Sequence, residues 1–492
     1  MKKVLQIHPK DNVAVALVDL TEGETCLGIF LRQNIPSGHK FALCNIAARE
    51  PLVKYGMPIG EATASIQPGE HVHVHNLRTS LNESTPVVEY RKLEEPETSA
   101  PASRCFSGYG REDGKVGIRN DLWVIPLVGC INGPVRQLVR QAQHCLSKDT
   151  MQIVSLEHPY GCSQLGEDLH RTASLLASLA RHPNAGGVLI VSLGCENNSL
   201  DYFRPLLGPF DERRIRFLKM QEPGSELERG MEQIRKLILH AEQSQKSSFP
   251  MEKLCVGLKC GGSDAFSGIT ANPLLGRFAD RLVGEGGTVV LTEVPEMFGA
   301  ETLLLSRCHH EAIHAKCVRM LDDFRQYFLR YGQPVYENPS PGNKEGGIST
   351  LEEKSLGCVQ KGGTSWIVDV LNYADSVVSG GSHLLSGPGN DLVSSTALAA
   401  AGCQLILFTT GRGTPFGTVI PTLKVSSNSH LAKDKPHWID FDAGRLLSET
   451  ALDALTDELF ELVLDVASEK QMAKNEQNGY REIAIFREDV TL

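Results

Sequence analysis

Reactive side chains follow several short apolar runs at the point where each run ends. Five runs end in glycine-containing segments that carry thiol, carboxylate, amide or guanidinium groups, at residues 129–133, 158–164, 194–198, 260–264 and 411–415. Taken singly, each segment is as consistent with an ordinary turn that needs glycine as it is with part of a binding site. Because ligands of open α/β sheets bind beyond the carboxyl ends of the strands, we expect these loops to converge on one crevice. Their candidate catalytic residues are Cys162, Cys195, Glu196, Cys260, Asp264 and Arg412.

The segment 71–75, HVHVH, predicts a metal site. On a β-strand, a period of two places its imidazoles on one face, and neutral imidazole is the commonest metal ligand. His39 follows a turn and would complete the site from a second strand, so the predicted ligands are His39, His73 and His75. The alternative is a solvent-facing polar stripe with the two valines inside. The sequence contains no CxxC pair or HExxH helix, which argues against a structural zinc site.

The charge balance restricts the partners. Lys and Arg total 49 against 59 Asp and Glu, a net charge of -10, whereas nucleic-acid and membrane-surface proteins usually carry a basic excess. An anionic substrate must therefore be held by local cations or a metal, and Lys344 in the Asn- and Pro-rich segment 338–344 is a candidate beside Arg412. None of the glycine loops has the spacing of a Walker A or dinucleotide fingerprint, so a nicotinamide cofactor is poorly supported.

The 492 residues divide by pattern. Residues 1–78 form short strand-like runs between turns, and residues 79–104 are polar and proline-containing, as in a linker. From residue 105, apolar runs alternate with helix-like stretches, which predicts an α/β region with largely parallel strands. The loop at 336–347 either divides this region into 105–335 and 336–492 or is a long functional loop. The N-terminus lacks an apolar signal-peptide core, no run of about 18 apolar residues occurs, and the thirteen cysteines are an odd number. We therefore expect reduced thiols, a cytoplasmic location and no membrane partner.

Several motifs together resemble one known family. They include GHKFAL, VKYGMPIG, HVHVHN, YGCSQLGED, SLGCENN, CGGSDAFSGITANP, LTEVPEMFGAE, NPSPGNK, TTGRGTP and PHWIDFDAG. These are similar to motifs of the altronate and galactarate dehydratases, and HVHVHN and YGCSQ look more like the altronate branch. Residues 1–78 resemble the small β-clip module of that family, called SAF. Departures are small: SLGC stands where the family has GLGC, and PHWIDFDAG where it has KHWIDFDAG.

The resemblance implies a hydro-lyase of hexuronate breakdown that converts D-altronate to 2-dehydro-3-deoxy-D-gluconate and water. It implies ferrous iron as the cofactor, with Mn²⁺ as a substitute. Another aldonate or aldarate such as galactarate is an alternative substrate, and a sugar-acid binding protein without turnover is an alternative from another class. A homo-oligomer is one alternative for the assembly.

Removal of a C2 proton beside a carboxylate requires a metal or cations, a base, an acid and carboxylate clamps. We expect this site between the small module and the α/β body. A second hypothesis is an iron–sulfur dehydratase in which Cys162, Cys195 and Cys260 bind three irons and leave one open.

Overall fold

The computed structural model describes residues 2–81, 88–91, 104–147, 151–448 and 450–488. Most of the predicted linker, at 82–87 and 92–103, lies outside these residues. Among the described residues, no helix has both the length and the apolar character needed to cross a bilayer.

The small N-terminal module is built from short antiparallel strands. Its sheets have the orders β1-β2-β5-β8, β6-β7-β9 and β3-β4. Val13–Ala16 is completely buried in the first of these sheets, which explains the apolar run in this part of the sequence. The strands are β1 (Val4–Leu5), β2 (Val13–Ala16), β3 (Thr25–Cys26), β4 (Ile29–Phe30), β5 (Lys40–Ala42), β6 (Pro51–Lys54), β7 (Met57–Ala62), β8 (His71–Val72) and β9 (Leu77–Arg78).

The next part of the chain holds a four-stranded parallel sheet with the order β13-β12-β14-β15. A small antiparallel sheet, β11-β10-β16, lies beside it. β14 is buried at every residue, as expected for a parallel strand covered on both faces. The strands are β10 (Cys105–Gly110), β11 (Val116–Gly117), β12 (Asp121–Pro126), β13 (Ile153–Ser155), β14 (Ala185–Ser192), β15 (Ile215–Lys219) and β16 (Lys246–Pro250).

A seven-stranded parallel sheet forms the largest layer, with the order β19-β20-β18-β17-β21-β22-β23. It confirms the predicted α/β region with largely parallel strands. The predicted division at 335/336 falls within this sheet, since its strands come from both sides of that point. The strands are β17 (Cys255–Cys260), β18 (Thr288–Leu291), β19 (Ile367–Leu371), β20 (Gly381–Leu385), β21 (Leu405–Thr410), β22 (Thr422–Ser426) and β23 (Phe441–Asp442).

Amphipathic helices cover both parallel sheets. In α4, for example, Ser225 caps the amino end, and the apolar residues recur at helical spacing on the buried face. The helices are α1 (Asn132–Gln143), α2 (Gly166–Ala180), α3 (Leu200–Leu207), α4 (Glu226–Glu242), α5 (Ala271–Gly284), α6 (Glu301–Leu305), α7 (Glu311–Arg330), α8 (Pro341–Glu345), α9 (Leu351–Cys358), α10 (Asp391–Ala400), α11 (Ser429–Asp434), α12 (Leu452–Ala467) and α13 (Lys474–Gln477).

The two parallel sheets share one apolar layer and face the same way. α2 and α10 lie in a core that contains residues of both sheets. The strands begin side by side, because the Asn184 carboxamide just before β14 donates to the Gln404 carbonyl just before β21, at 2.8 Å. The amino end of α2, which follows β13, and the residues after β20 line one common cavity of about 580 Å³. The loops at the carboxyl ends of both sheets therefore open on the same side.

The prediction of one continuous HVHVH strand is wrong. Only His71–Val72 is a strand, and a turn follows it. The Asn76 side chain stabilises this turn by accepting a hydrogen bond from the His73 amide at 3.0 Å and donating one to the His71 carbonyl at 2.9 Å. Val74, expected inside under the alternative interpretation, is 50% exposed.

Candidate functional site

Four histidines of the small module lie together. Nδ1 of His39 is 3.0 Å from Nε2 of His71. The ring centroid of His39 lies 4.7 Å from that of His73, and the centroid of His71 lies 5.3 Å from that of His75. The structure thus brings together the three predicted ligands and adds His71, which contacts each of the other rings.

The α/β body closes one side of this histidine cluster. Nε2 of His39 is 3.2 Å from the carbonyl oxygen of Glu345, and Nδ1 of His73 is 2.9 Å from the hydroxyl of Ser349. Gly347 has a φ of 94°, and a Cβ there would collide with the backbone just before His39. Glycine is therefore required where the two parts of the chain meet.

The surroundings of His39, His71 and His73 lower the pKa of each ring and so favour its neutral form. Burial, together with nearby imidazoles and Lys40, lowers the pKa of His71 to about 3 and that of His73 to about 4. Burial also lowers the pKa of His39. Neutral imidazole keeps the lone pair that a metal ligand requires.

A buried charge cluster joins the small module to the body directly beneath the histidines. The ammonium groups of Lys40 and Lys54 each lie 2.8 Å from a carboxylate oxygen of Glu353 on α9, and all three side chains are 1% exposed. Lys40 also donates to the Ser349 hydroxyl at 2.6 Å. Burial alone would raise the pKa of Glu353, but the two lysines outweigh it and lower that pKa to about 2. The carboxylate is therefore ionised at every physiological pH.

The predicted cation Lys344 lies on α8, a short helix inside the segment that the sequence predicts to be a loop. A capping box between Ser340 and Asn343 begins this helix. The Asn343 carboxamide fixes it to the body by donating to the Ser263 carbonyl at 2.7 Å. Within the described part of the chain, the Lys344 ammonium has no ion-pair partner, so its charge is available to an anion.

Arg412, the second predicted cation, contacts the same helix. Its Nη1 donates to the Gly342 carbonyl at 3.2 Å, and its Nη2 lies 2.9 Å from the Glu345 carboxylate. The Arg412 side chain remains 44% exposed. The structure therefore brings Lys344, Arg412 and the histidine cluster to one region, with Arg412 bracing α8.

Asp264 holds three loops together below α8. Its carboxylate accepts hydrogen bonds from Ser267, from the Ser427 hydroxyl at 2.8 Å and from the Asn428 amide at 3.1 Å. Burial raises the pKa of Asp264, although these donors oppose the rise. A side chain at Gly411 would collide with this carboxylate. Asp264 thereby fixes the loop that carries Arg412.

Cys260 belongs to a neighbouring buried group at the carboxyl ends of β17 and β18, which Lys354 joins to α8 by donating to Oδ1 of Asn343 at 3.2 Å. Its sulfur is 2.8 Å from the Glu296 carboxylate and 3.5 Å from the Cys358 sulfur. The three ligand atoms lie within 4.8 Å of one another, a spacing compatible with a metal ion. Two ammonium groups contact the same side chains: Lys361 is 3.0 Å from the Cys260 sulfur, and Lys354 is 2.8 Å from Oε1 of Glu296.

The remaining predicted residues belong to loops of the four-stranded sheet. Cys162 and Cys195 are exposed. Glu196 is buried, and its carboxylate accepts hydrogen bonds from the Ser192 hydroxyl and from the amides of Leu193 and Gly194. These donors outweigh burial and lower the pKa of Glu196. Glu196 thus fixes the loop that carries Cys195.

Comparisons with known proteins identify the family of this arrangement. Family models match three consecutive parts of the chain: the altronate/galactarate dehydratase SAF domain at residues 2–80, the second domain of D-galactarate dehydratase/altronate hydrolase at 108–242, and the C-terminal domain of D-galactarate/altronate dehydratase at 251–491. Altronate dehydratase of Bacillus subtilis (strain 168) is 48% identical over 100% of both chains. The chain belongs to the altronate/galactarate dehydratase family. The resemblance inferred from the motifs, including the SAF module, is confirmed.

Two further relatives place the chain within the altronate/galactarate dehydratase family. Altronate dehydratase of Escherichia coli (strain K12) is 48% identical over 99% of both chains. Galactarate dehydratase (L-threo-forming) of the same organism is 32% identical over 98% of this chain and 96% of its own length. The similarity is therefore greater to the proteins named altronate dehydratase.

Sequence reasoning missed several charged residues of this family member. Glu353, Glu296, Lys354 and Lys361 lie in or beside α9 and after β18, where no single residue stands out in the sequence. The sequence did show one signal, the motif LTEVPEM, which contains Glu293. In the structure, Glu293 has a φ of 74° and pairs with Lys259. A non-glycine residue in this conformation directly after a buried strand indicates a functional or strained turn.

Proposed function

We propose that this chain dehydrates D-altronate to 2-dehydro-3-deoxy-D-gluconate and water, as a hydro-lyase of hexuronate breakdown. The observation that carries this proposal is the 48% identity, over the whole chain, to two proteins named altronate dehydratase. Galactarate dehydratase is a more distant relative at 32%, which makes galactarate the second candidate substrate.

The chemistry sets what the site must provide. The C2 proton of a 2,3-dihydroxy carboxylate is very weakly acidic, because its removal leaves a dianionic enolate. A base takes this proton, an acid protonates the leaving C3 hydroxyl, and the enol then becomes the 2-keto acid. Cations placed against the carboxylate and the enolate oxygen lower the barrier by about 3 kcal/mol or more.

Ferrous iron, with Mn²⁺ as its substitute, is assigned to the histidine cluster in this proposal, because neutral imidazole is a common ligand of iron and the facing nitrogens of His39 and His71 are 3.0 Å apart. The nitrogens of three rings do not yet lie within 4.8 Å of one another in the described residues, so binding one ion would draw the rings together. His39, His71, His73 and His75 would hold the ion. When bound, it supplies Lewis-acid stabilisation of charge on the substrate oxygens.

The buried group of Cys260, Glu296 and Cys358 suits a resident cation less well. The Lys361 ammonium already contacts the Cys260 sulfur, and the Lys354 ammonium contacts Oε1 of Glu296, beside the Oε2 that faces Cys260. A divalent cation would have to displace or approach these buried positive charges, which is costly in a low-dielectric interior. Iron content in variants of each site distinguishes the two assignments.

Lys344 binds the substrate carboxylate in this proposal, since its ammonium is not paired within the described residues. Arg412 holds α8 in place through Gly342 and Glu345, and its exposed guanidinium face provides a second cation. Asp264 acts as a positioning residue through the loop at Gly411. The overall charge of -10 makes these local cations necessary for an anion to bind.

A substrate panel tests the proposal. The purified full-length chain, supplied anaerobically with Fe²⁺, is assayed for a 2-keto-3-deoxy acid from D-altronate, galactarate and other sugar acids without nicotinamide. We expect D-altronate to be the best substrate by kcat/KM, and Mn²⁺ to support lower turnover. Strong turnover of galactarate alone would overturn the specificity. Binding without product from any sugar acid would favour the non-catalytic alternative. The cytoplasmic location and a homo-oligomeric assembly stay predictions from the sequence.

A further inference from the structure

Three exposed thiols lie in three loops at the carboxyl end of the four-stranded sheet. Cys130 follows β12, Cys162 follows β13 and Cys195 follows β14, and each is exposed. These strands are neighbours, in the order β13-β12-β14. The sheet therefore presents one cysteine from each of three adjacent strand ends to the same edge.

Direct contacts hold these three loops against one another. The Gly129 amide, next to Cys130, donates to the Tyr160 carbonyl at 2.7 Å. The carbonyl of Gly161, next to Cys162, accepts from the amide of Asn198 in the Cys195 loop at 3.1 Å. Gly161 has a φ of 97°, and a Cβ there would collide with the carbonyl oxygen of Leu127. The loops are therefore packed as closely as glycine permits.

Two of the three loops also carry a carboxamide that is only half satisfied. Gln164 and Asn198 are 2% and 0% exposed, and the structure gives no hydrogen-bond partner, among the described residues, for Nε2 of Gln164 or Oδ1 of Asn198. The other half of each amide is engaged, since Gln164 accepts from the Gly161 amide and Asn198 donates to the Leu127 carbonyl. An orphaned buried polar atom is costly, so the unpartnered Gln164 Nε2 indicates a missing acceptor, whereas the Asn198 oxygen needs a donor that a cluster does not supply.

In the part of the chain that the structure describes, the three thiols are not close enough to share a single ion. Within the described residues, the one group of His, Cys, Asp and Glu whose ligand atoms all lie within 4.8 Å is the separate Cys260 group. Thiolates on one tetrahedral ion with bonds of about 2.3 Å are closer than that, roughly 4 Å apart. His158 lies in the same loops but offers no free ring nitrogen, because one is 2.8 Å from the Pro126 carbonyl and the other accepts from the Tyr160 amide.

We propose that Cys130, Cys162 and Cys195 bind an iron–sulfur cluster through three thiolates, leaving one iron without a protein thiolate. The proposal concerns a site separate from the histidine cluster and does not depend on the proposed substrate. It replaces Cys260 of the sequence-based hypothesis with Cys130. Cys260 is buried at the end of β17 in the other sheet. Soft thiolates are the ligands that such clusters use, and the unpartnered Gln164 Nε2 is a donor able to bond to sulfur.

The test is reconstitution of the full-length chain with ferrous iron and sulfide under anaerobic conditions. We expect protein-bound iron, acid-labile sulfide and a broad visible absorption band in the wild type. Cys130→Ser, Cys162→Ser and Cys195→Ser should each lose most of the sulfide and the band. Cys44→Ser and Cys105→Ser change exposed thiols outside these loops and should retain both signals.

Four outcomes overturn the proposal. A wild type that binds no labile sulfide, or iron without sulfide, shows that the loops hold no cluster. Full retention of the sulfide and the band in Cys130→Ser would favour the sequence-based set of Cys162, Cys195 and Cys260. Loss of both signals in the Cys44→Ser control to the same extent would show nonspecific binding. Circular dichroism of each variant confirms the fold, and Cys130→Ala replaces Cys130→Ser if the latter is unfolded. His73→Ala should remove iron that is not matched by sulfide and leave the sulfide content unchanged.

Discussion

Glu353→Gln is expected to destabilise the junction between the small module and the α/β body. The substitution keeps the shape of the side chain but removes the negative charge that lies between the ammonium groups of Lys40 and Lys54. All three side chains are 1% exposed, so water does not replace the lost carboxylate. The variant leaves two buried like charges without a counter-ion.

The pKa of Glu353 gives the magnitude. The folded chain lowers this pKa from 4.5 to about 2, a difference of about 2.5 units, and each unit corresponds to about 1.4 kcal/mol. The ionised carboxylate therefore contributes about 3 kcal/mol, in the range of about 3–5 kcal/mol typical of broken buried pairs. Because the folded pKa is the lower one, this contribution is present above pH 4.5 and is lost as the pH falls towards 2.

Urea unfolding at pH 7, followed by circular dichroism, measures the loss. The matched control is Glu458→Gln, which removes a surface ion pair with Arg445 whose side chains are 42% and 47% exposed; it should cost less than about 1 kcal/mol. A Glu353→Gln variant as stable as this control would refute the reasoning, because the buried carboxylate would then contribute no more than a solvated one.

Three further outcomes are expected. His73→Ala should lower bound iron and kcat together, while His430→Ala, at a side chain 86% exposed, should change neither. Arg412→Lys should reduce kcat/KM at least tenfold, which corresponds to about 1.4 kcal/mol, and Lys344→Gln should also lower kcat/KM. If Arg412→Lys instead lowers the melting temperature and leaves the kinetics unchanged, Arg412 only stabilises its loop and does not bind substrate. Burial raises the pKa of Asp440 from 3.8 to about 6. As the pH rises through this interval, the carboxyl group ionises in the unfolded chain before it does in the folded one, so the free energy of unfolding falls by up to about 3 kcal/mol. The free energy of unfolding of Asp440→Asn, measured with urea, should therefore rise relative to that of the wild type by this amount between pH 4 and pH 7. A stability difference between the two proteins that does not change with pH would contradict this.

The sequence predicts the α/β body well because its strands are buried on both faces. Runs such as GGVLIVSL and QLILFTT correspond to β14 and β21, whose residues are all buried. It does not predict that these strands belong to two sheets, because an apolar run carries no information on its neighbours. It also misses α8, since five residues between prolines and glycines show no helical period, and the capping box of Ser340 and Asn343 becomes evident only in three dimensions.

Part of the candidate site is predictable for a different reason. The candidate ligands His39, His73 and His75 stand out because histidine is a rare residue and is repeated here. Their rings lie close together in the structure, although the segment does not form the single strand that was predicted. The position of Glu353, by contrast, depends on packing between residues about 300 apart in the chain. Glu196 and Asp264 were selected for their chemical type, yet their carboxylates are occupied by loop hydrogen bonds. Residue type and spacing indicate which groups are able to react, but not which are already engaged.

The contacts of the histidine cluster explain why the small module and the body must act together. The module supplies the imidazoles, but the second nitrogen of His39 and one nitrogen of His73 are engaged by Glu345 and Ser349 of the body. Partners of this kind orient a ligating imidazole and raise its basicity. Ser349 also accepts a hydrogen bond from Lys40, whose charge Glu353 balances. Loss of the Glu353 charge should therefore disturb the imidazoles through Ser349, so that Glu353→Gln weakens iron binding as well as stability. Unchanged iron affinity in that variant would show that the buried charges and the histidine cluster are independent.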